Sequence, residues 1–79
     1  MAVLKDAESR PLNLEQVREL TGDDLRLELD RLVEAQFRLR YRAATEELDN
    51  KLQFRTLRRN IARLRTVLRE RELAAAREE

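Results

Sequence analysis

The 79-residue sequence contains no cysteine, no histidine and no tryptophan, and it has only one glycine and one proline. Without cysteine and histidine it has no disulfide, thiol nucleophile or imidazole base, and it lacks the usual zinc ligands, so we expect no metal and no cofactor. The scarcity of glycine and proline leaves few turn signals, which argues against a fold of many short strands. There is no run of 18 apolar residues and no start typical of a secretory signal, so we expect a cytoplasmic protein without a membrane span.

Charge and leucine dominate what is present. The 17 basic and 16 acidic side chains make up 42% of the chain and nearly cancel, giving a net charge of +1. Apolar residues make up another 42%, which is more than a disordered chain of this charge content would carry. This composition predicts one small all-α domain, either a helical hairpin or a coiled coil.

Periodicity and capping signals divide the chain. Residues 1–13 lack periodicity and are predicted to be a flexible N-terminal extension. Residues 14–73 form the predicted hairpin domain, and residues 74–79 are predicted to be a C-terminal tail. Within the domain we expect helices over about 14–20, 23–44 and 51–73. The predicted caps of these helices are Asn13, Thr21 and Asn50, with the turn of the hairpin over residues 45–50.

Both long helices carry apolar residues at alternating spacings of three and four, as in a heptad seam. The predicted hairpin core consists of Leu25, Leu29, Leu32, Gln36, Leu39, Phe54, Leu57, Ile61, Leu64 and Leu68. Gln36 is the one polar member, and polar residues at such positions usually set the register. Val33 and Phe37 flank the first seam and are predicted to widen it. Since the seams are complementary and the link is short, we expect an antiparallel hairpin of two long helices with a short leading helix.

The near-neutral net charge conceals a strong asymmetry along the chain. Residues 1–50 hold 8 basic and 12 acidic groups, net −4, whereas residues 51–79 hold 9 basic and 4 acidic groups, net +5. Residues 51–69 include no carboxylate. On a helical wheel with 100° per residue and Phe54 at 0°, the arginines of this stretch lie between about 20° and 180°. The members of this arginine arc are Arg55, Arg58, Arg59, Arg63, Arg65 and Arg69, with Ala62 and Thr66 among them.

An acid-free arginine arc weakens an isolated helix and suits an anionic partner. A second basic group, Arg38, Arg40 and Arg42, ends the first long helix, and an antiparallel hairpin would bring it beside the arc. Other interpretations stay open: a solvated face paired across the hairpin with Glu28, Glu34, Glu46 or Glu47, an anionic lipid surface, or the codon bias of a GC-rich genome. Phe37 and Tyr41 suit base stacking, although aromatic residues beside a seam more often pack.

Two segments carry a family resemblance: Gln36-Phe37-Arg38-Leu39-Arg40, and residues 57–66 with the sequence LRRNIARLRT. Over about residues 14–72 the chain resembles the bacterial large-subunit ribosomal protein twenty-nine family. The second segment fits that family's Arg-Arg-x-Ile-Ala-Arg-x-Lys/Arg-Thr pattern. Residues 1–12 look like an extension, and Lys51 stands where the family often has proline.

The resemblance implies a non-enzymatic constituent of the large ribosomal subunit that binds large-subunit rRNA near the exit of the nascent-chain tunnel. It also implies ribosomal protein twenty-three as a neighbour, in a region that targeting and chaperone factors visit. Carried over by position, the expected RNA-facing residues are Arg38, Arg40, Arg58, Arg59, Ala62, Arg63, Arg65 and Thr66, and the arginine arc adds Arg55.

Two further classes fit parts of the pattern. In a homo-oligomeric coiled-coil interaction module the seams would be intermolecular. A small helical enzyme similar to the helical chorismate mutases would also carry arginines on its helices. That enzyme needs a third long helix to close its pocket, and the sequence does not predict one.

Overall fold

A computed structural model of the chain describes residues 4, 6–46 and 51–78. In these residues the chain forms three helices and no strand: α1 (Leu14–Arg18), α2 (Gly22–Glu46) and α3 (Lys51–Glu78). Helices α2 and α3 pack along each other in a molecule of 50 × 20 × 19 Å. Arg71 of α3 contacts the backbone just before α2, whereas Arg40 of α2 and Arg55 of α3 line the same pocket at the opposite end. The predicted all-α antiparallel hairpin with a short leading helix is therefore confirmed.

Side-chain caps start the first two helices where the sequence predicts them. The Asn13 side-chain oxygen accepts a hydrogen bond from the backbone N–H of Glu15 at 2.9 Å. The Thr21 hydroxyl oxygen accepts one from the N–H of Asp24 at 3.1 Å. These contacts satisfy N–H groups that have no partner within the helix. Asn50, the third predicted cap, and most of the predicted turn lie outside the described residues.

The C-terminal ends of the three helices differ from the predicted bounds. Helix α1 ends at Arg18 rather than at residue 20, and α2 continues to Glu46. Helix α3 continues to Glu78, through most of the predicted tail of residues 74–79. Residues 74–76 are alanines, which have the highest helix propensity, and residues 77–79 include neither glycine nor proline.

The core lies between the facing sides of α2 and α3. Most predicted seam residues are buried there: Leu25, Leu32, Leu39, Leu57, Ile61, Leu64 and Leu68. Leu29 and Phe54 are partly buried and pack against this core, and Gln36 is half-buried. Val33 and Phe37 are exposed, so the prediction that they widen the seam is wrong. Gln36 and Phe54 lie towards the end of the hairpin where α2 ends and α3 begins.

The structure differs most from the sequence prediction before α1. Leu4 and residues 6–12, which we call the N-terminal segment, pack on the hairpin instead of forming a flexible extension. Ala7 is only 1% exposed, and Leu4 and Leu12 are also part of the core. Asp6 adopts a φ of 57°, which aspartate tolerates, and its carbonyl accepts hydrogen bonds from Ser9 and Arg10. The segment thereby turns back over the two long helices.

One buried side chain on α3 holds the N-terminal segment in place. Asn60 is fully buried (0% exposed). Its amide nitrogen donates to the carbonyls of Ala7 at 2.6 Å and Arg10 at 2.8 Å, and its oxygen accepts from the N–H of Leu12 at 3.0 Å. A buried amide with its donors and acceptor satisfied in this way fixes the backbone that it contacts. The segment therefore closes one side of the hairpin and leaves the other side open.

Candidate nucleic-acid interface

The open side of the hairpin carries a groove between the end of α2 and the start of α3. It is lined by Gln36, Arg40, Lys51, Phe54, Arg55 and Arg58, which we call the basic groove. Four of these residues are cations and none is an acid. Gln36 and Phe54, two of the partly buried members of the predicted seam, also line it. The groove thus combines an aromatic ring and an amide with arginine and lysine side chains.

The antiparallel packing of the helices brings these cations together. Arg40 lies six residues from the end of α2, whereas Arg55 and Arg58 lie in the first turns of α3. Among the described residues, no carboxylate forms an ion pair with any cation of the groove. The positive charges are therefore not neutralised within the described part of the molecule. Guanidinium groups in such a cluster suit phosphate, which accepts two parallel hydrogen bonds from one arginine.

The outer side of α3 continues this basic surface along the helix. Its exposed residues include Arg59, Ala62, Arg65 and Thr66. The Thr66 hydroxyl donates to the carbonyl of Ala62 at 2.8 Å, which leaves the hydroxyl oxygen as an acceptor facing solvent. Ala62 is small enough to let a polymer backbone approach between the arginines. All four were predicted to face RNA, and the structure leaves each of them accessible.

The structure separates two other predicted residues from the basic groove. Arg38 lies about 160° around α2 from Arg40. It forms ion pairs with Glu34 at 3.6 Å and with Glu8 of the N-terminal segment at 3.9 Å. Arg63 is half-buried and donates to the side-chain oxygen of Asn60 at 3.1 Å. Both arginines therefore border the side of the hairpin that the N-terminal segment covers.

Two acids that were considered as partners for the arginine arc have other partners. Glu28 is 2% exposed and accepts hydrogen bonds from Arg31 of the same helix, at 2.7 and 3.1 Å. Arg31 also donates to the carbonyl of Leu4. Glu34 pairs with Arg38, as described above. Pairing of the arc with Glu28 or Glu34 is therefore wrong, and the side chains of Glu46 and Glu47 lie outside the described residues.

Sequence reasoning missed a second buried strip on α3. Thr56, Asn60 and Val67 are buried and Arg71 is half-buried, all on the side that faces the N-terminal segment and α1. Arg71 donates to the carbonyl of Arg18, the last residue of α1, and to the carbonyl of Leu20, which follows α1. A guanidinium in this position stabilises carbonyls that lack a partner at a helix end. The recurrence of these residues at spacings of four, seven and four was a weak signal because only one of them is apolar.

Other kinds of site find no support in the part of the chain that the structure describes. Within it, no group of acidic side chains is arranged to hold a metal ion. None of its helices combines the length and the apolar character that crossing a membrane requires. Phe37 and Tyr41, for which the sequence leaves both base stacking and packing beside the seam open, are 70% and 65% exposed to solvent. The basic groove and the adjoining surface of α3 are thus the strongest candidate site.

A helical hairpin whose basic groove has no acidic partner among the described residues is suited to a polyanionic ligand. Comparison with known proteins identifies the family. The model of the family described as ribosomal L29 protein matches residues 15–71. The chain therefore belongs to the ribosomal L29 protein family, whose members are structural and non-enzymatic, and the resemblance seen in the sequence is confirmed.

Curated relatives are similar over nearly their whole length. The large ribosomal subunit protein uL29 of Gemmatimonas aurantiaca is 48% identical over 64 residues, covering 81% of this chain and 96% of the relative. The protein of the same name from Natranaerobius thermophilus is 40% identical, covering 78% and 95%. That from Caldanaerobacter subterraneus subsp. tengcongensis is 41% identical, covering 84% and 100%. No solved structure matches the chain.

Proposed function

We infer that the protein is a structural constituent of the large ribosomal subunit, and we propose that it binds large-subunit rRNA through the basic groove and the outer side of α3. The basic groove is the observation that carries this proposal. It places Arg40, Arg55 and Arg58 around one concave surface with no paired carboxylate among the described residues. Family membership supplies the ribosomal context.

Binding in this mode is electrostatic and depends on a rigid support. The packed seams hold α2 and α3 side by side, so the arginines of both helices reach the same stretch of phosphates. Each phosphate that a cation neutralises releases condensed counterions into the solution. Contacts of this kind fix the position of a protein on RNA without reading its sequence. Shape and charge, rather than base identity, would therefore select where the groove docks.

The full proposed interface is larger than the groove. It comprises Arg38, Arg40, Arg55, Arg58, Arg59, Ala62, Arg63, Arg65 and Thr66. In this set Arg38 and Arg63 form a second edge beside the N-terminal segment, as their contacts with Glu8 and Asn60 indicate. Release of Arg38 from its exposed ion pairs costs little, because such pairs contribute at most about 1 kcal/mol.

The family resemblance extends the proposal to the surroundings of the protein. We place it near the exit of the nascent-chain tunnel, next to ribosomal protein twenty-three, where targeting and chaperone factors bind. This location accords with an elongated hairpin that uses one side for RNA and retains other exposed surface for neighbours.

A homo-oligomeric coiled coil is less well supported than RNA binding. The seams that would join two copies are already buried within one chain, where Leu25, Leu32, Leu57 and Leu64 are fully buried. Sedimentation of the RNA-free protein as a stable dimer would favour the oligomer.

The test measures binding of the full chain to protein-free large-subunit rRNA over a range of salt concentrations. Replacing Arg40, Arg55 and Arg58 with glutamine should make the log–log salt slope shallower by about 2 to 3, since each neutralised phosphate contributes about 0.7 to 0.9. The matched control replaces the exposed Arg10, Arg26 and Arg77, which removes the same charge elsewhere. Equal losses in the two variants would show that net charge, not the groove, determines binding.

A further inference from the structure

The outer side of α2 carries two aromatic rings that the fold does not use. Phe37 and Tyr41, which we call the aromatic strip, are separated by one helical turn and lie on the same side of α2. Both are largely exposed, and together with Arg38 and Arg42 they line an open pocket. Most of each ring is in contact with water, although a helix of this kind normally directs large apolar groups to its core. The aromatic strip is thus an apolar surface framed by guanidinium groups.

The aromatic strip adjoins the basic groove. At 100° per residue, Phe37 lies about 60° around α2 from Arg40, which is part of the groove wall. Tyr41 lies a further 40° or so around the helix in the same direction. A polyanion held by Arg40, Arg55 and Arg58 would therefore extend over Phe37 if it continued past the edge of the groove.

Charge around the strip favours a nucleic acid over an acidic protein surface. Residues 36–44 contain three arginines and no acid. Of these arginines Arg38 is paired with Glu34 and Glu8, whereas Arg40 belongs to the basic groove. Flat aromatic rings beside guanidinium groups can stack on any nucleobase, while the cations contact the flanking phosphates. Bases within a duplex are stacked on each other and do not present a free face, whereas bases in loops and bulges do.

We propose that Phe37 and Tyr41 stack on unpaired bases of the RNA whose phosphates lie in the basic groove. This inference rests on the proposed function, because the groove must hold the RNA for the rings to reach its bases. It adds a selectivity that the groove alone lacks: the protein prefers an RNA helix interrupted by a loop or bulge over an uninterrupted duplex.

The test compares two synthetic RNAs with the full-length protein. One is a duplex of about 20 base pairs, and the other is the same duplex interrupted by an internal loop of adenosines in which one base is 2-aminopurine. Stacking of a base on an aromatic side chain strengthens binding by about fivefold or more. We expect the wild type to prefer the looped RNA by at least that factor and to change the fluorescence of the 2-aminopurine.

Matched variants separate the rings from the charges. F37L/Y41L keeps the apolar surface and the helix but removes both rings, so it should bind the two RNAs equally and leave the 2-aminopurine signal unchanged. F37Y/Y41F exchanges the rings and should retain the preference. Circular dichroism verifies that both variants are folded, as expected for changes at exposed helical positions.

Three outcomes would overturn the inference. The first is a wild type that binds both RNAs equally while R55Q/R58Q weakens both, in which case the proposed function stands and the stacking does not. The second is an F37L/Y41L variant that retains the loop preference but associates less with large subunits, which would assign the strip to a protein neighbour. Failure of the wild type to bind either RNA would overturn the proposed function together with the stacking.

Discussion

Replacing Asn60 with alanine tests how the hairpin holds its N-terminal segment. The change removes the partner of the Leu12 N–H and of the carbonyls of Ala7 and Arg10. Each of these three hydrogen bonds contributes about 1 kcal/mol net to the free energy of unfolding, so their loss lowers it by about 3 kcal/mol. The higher helix propensity of alanine offsets about 0.5 kcal/mol. We therefore expect N60A to lower the free energy of unfolding by about 2–3 kcal/mol, a large share of what so small a core supplies.

Urea denaturation followed by circular dichroism measures this loss, and hydrogen exchange locates it. The Leu12 amide, buried against Asn60 in the wild type, should exchange faster in N60A than the amides in the middle of α3. Thr66→Ala on the same helix is the control. Its hydroxyl is exposed and bonds only the carbonyl one turn earlier, so the change should alter stability by less than about 0.5 kcal/mol.

A thermodynamic cycle tests whether the hydrogen bonds of Asn60 hold the N-terminal segment. In a chain lacking residues 1–12, Asn60 has lost its three backbone partners and faces water. There N60A should be nearly neutral, because only the difference in helix propensity and the contact with Arg63 on the same helix are left. If N60A lowered the free energy of unfolding equally with and without residues 1–12, the hydrogen bonds of Asn60 would not hold the segment in place.

Three further substitutions test the electrostatics and the backbone of α2, each by urea denaturation. Arg31→Met should cost about 3 kcal/mol because it leaves the carboxylate of Glu28 buried without its partner. Glu28→Met should cost clearly less, since Arg31 is partly exposed and can turn to water, and the reverse order would contradict burial of the carboxylate. Gly22→Ala should raise the free energy of unfolding by about 0.4–1 kcal/mol, because Gly22 has no positive φ and no atom lies within 4 Å of an added Cβ. A loss of stability in this variant would indicate that the start of α2 is more constrained than the structure shows.

The helices were predictable because their signals are local. Heptad spacing identifies the sides of α2 and α3 that meet, and capping residues such as Asn13 and Thr21 mark where helices begin. The N-terminal segment gives no such signal. Leu4, Ala7 and Leu12 follow no helical or strand period, and the segment binds largely through its backbone to Asn60. Contacts made by backbone groups leave little trace in the sequence of the segment that makes them.

The candidate site was predictable in composition but not in arrangement. A helical wheel places the arginines of α3 on one arc, yet it treats the helix as isolated. In the folded chain the N-terminal segment occupies one edge of that arc and leaves Arg63 half-buried beside Asn60. Helix periodicity puts Arg38 about 160° around α2 from Arg40, and the same segment pairs Arg38 with Glu8. The aromatic residues show the same limit, since proximity of Phe37 to the seam did not predict that it would be exposed.

The folded arrangement also explains how a chain with a net charge of +1 can present a basic surface. Glu28 and Glu34 of the acidic half lie on the side of α2 that faces the N-terminal segment, where they neutralise Arg31 and Arg38. Glu8 of the segment adds a further acid on that side. The described acids that pair with arginines are thus used away from the basic groove, whose cations have no acidic partner among the described residues. Net charge is therefore a poor guide to partners here, because the fold sorts acids and bases onto different sides of the same hairpin.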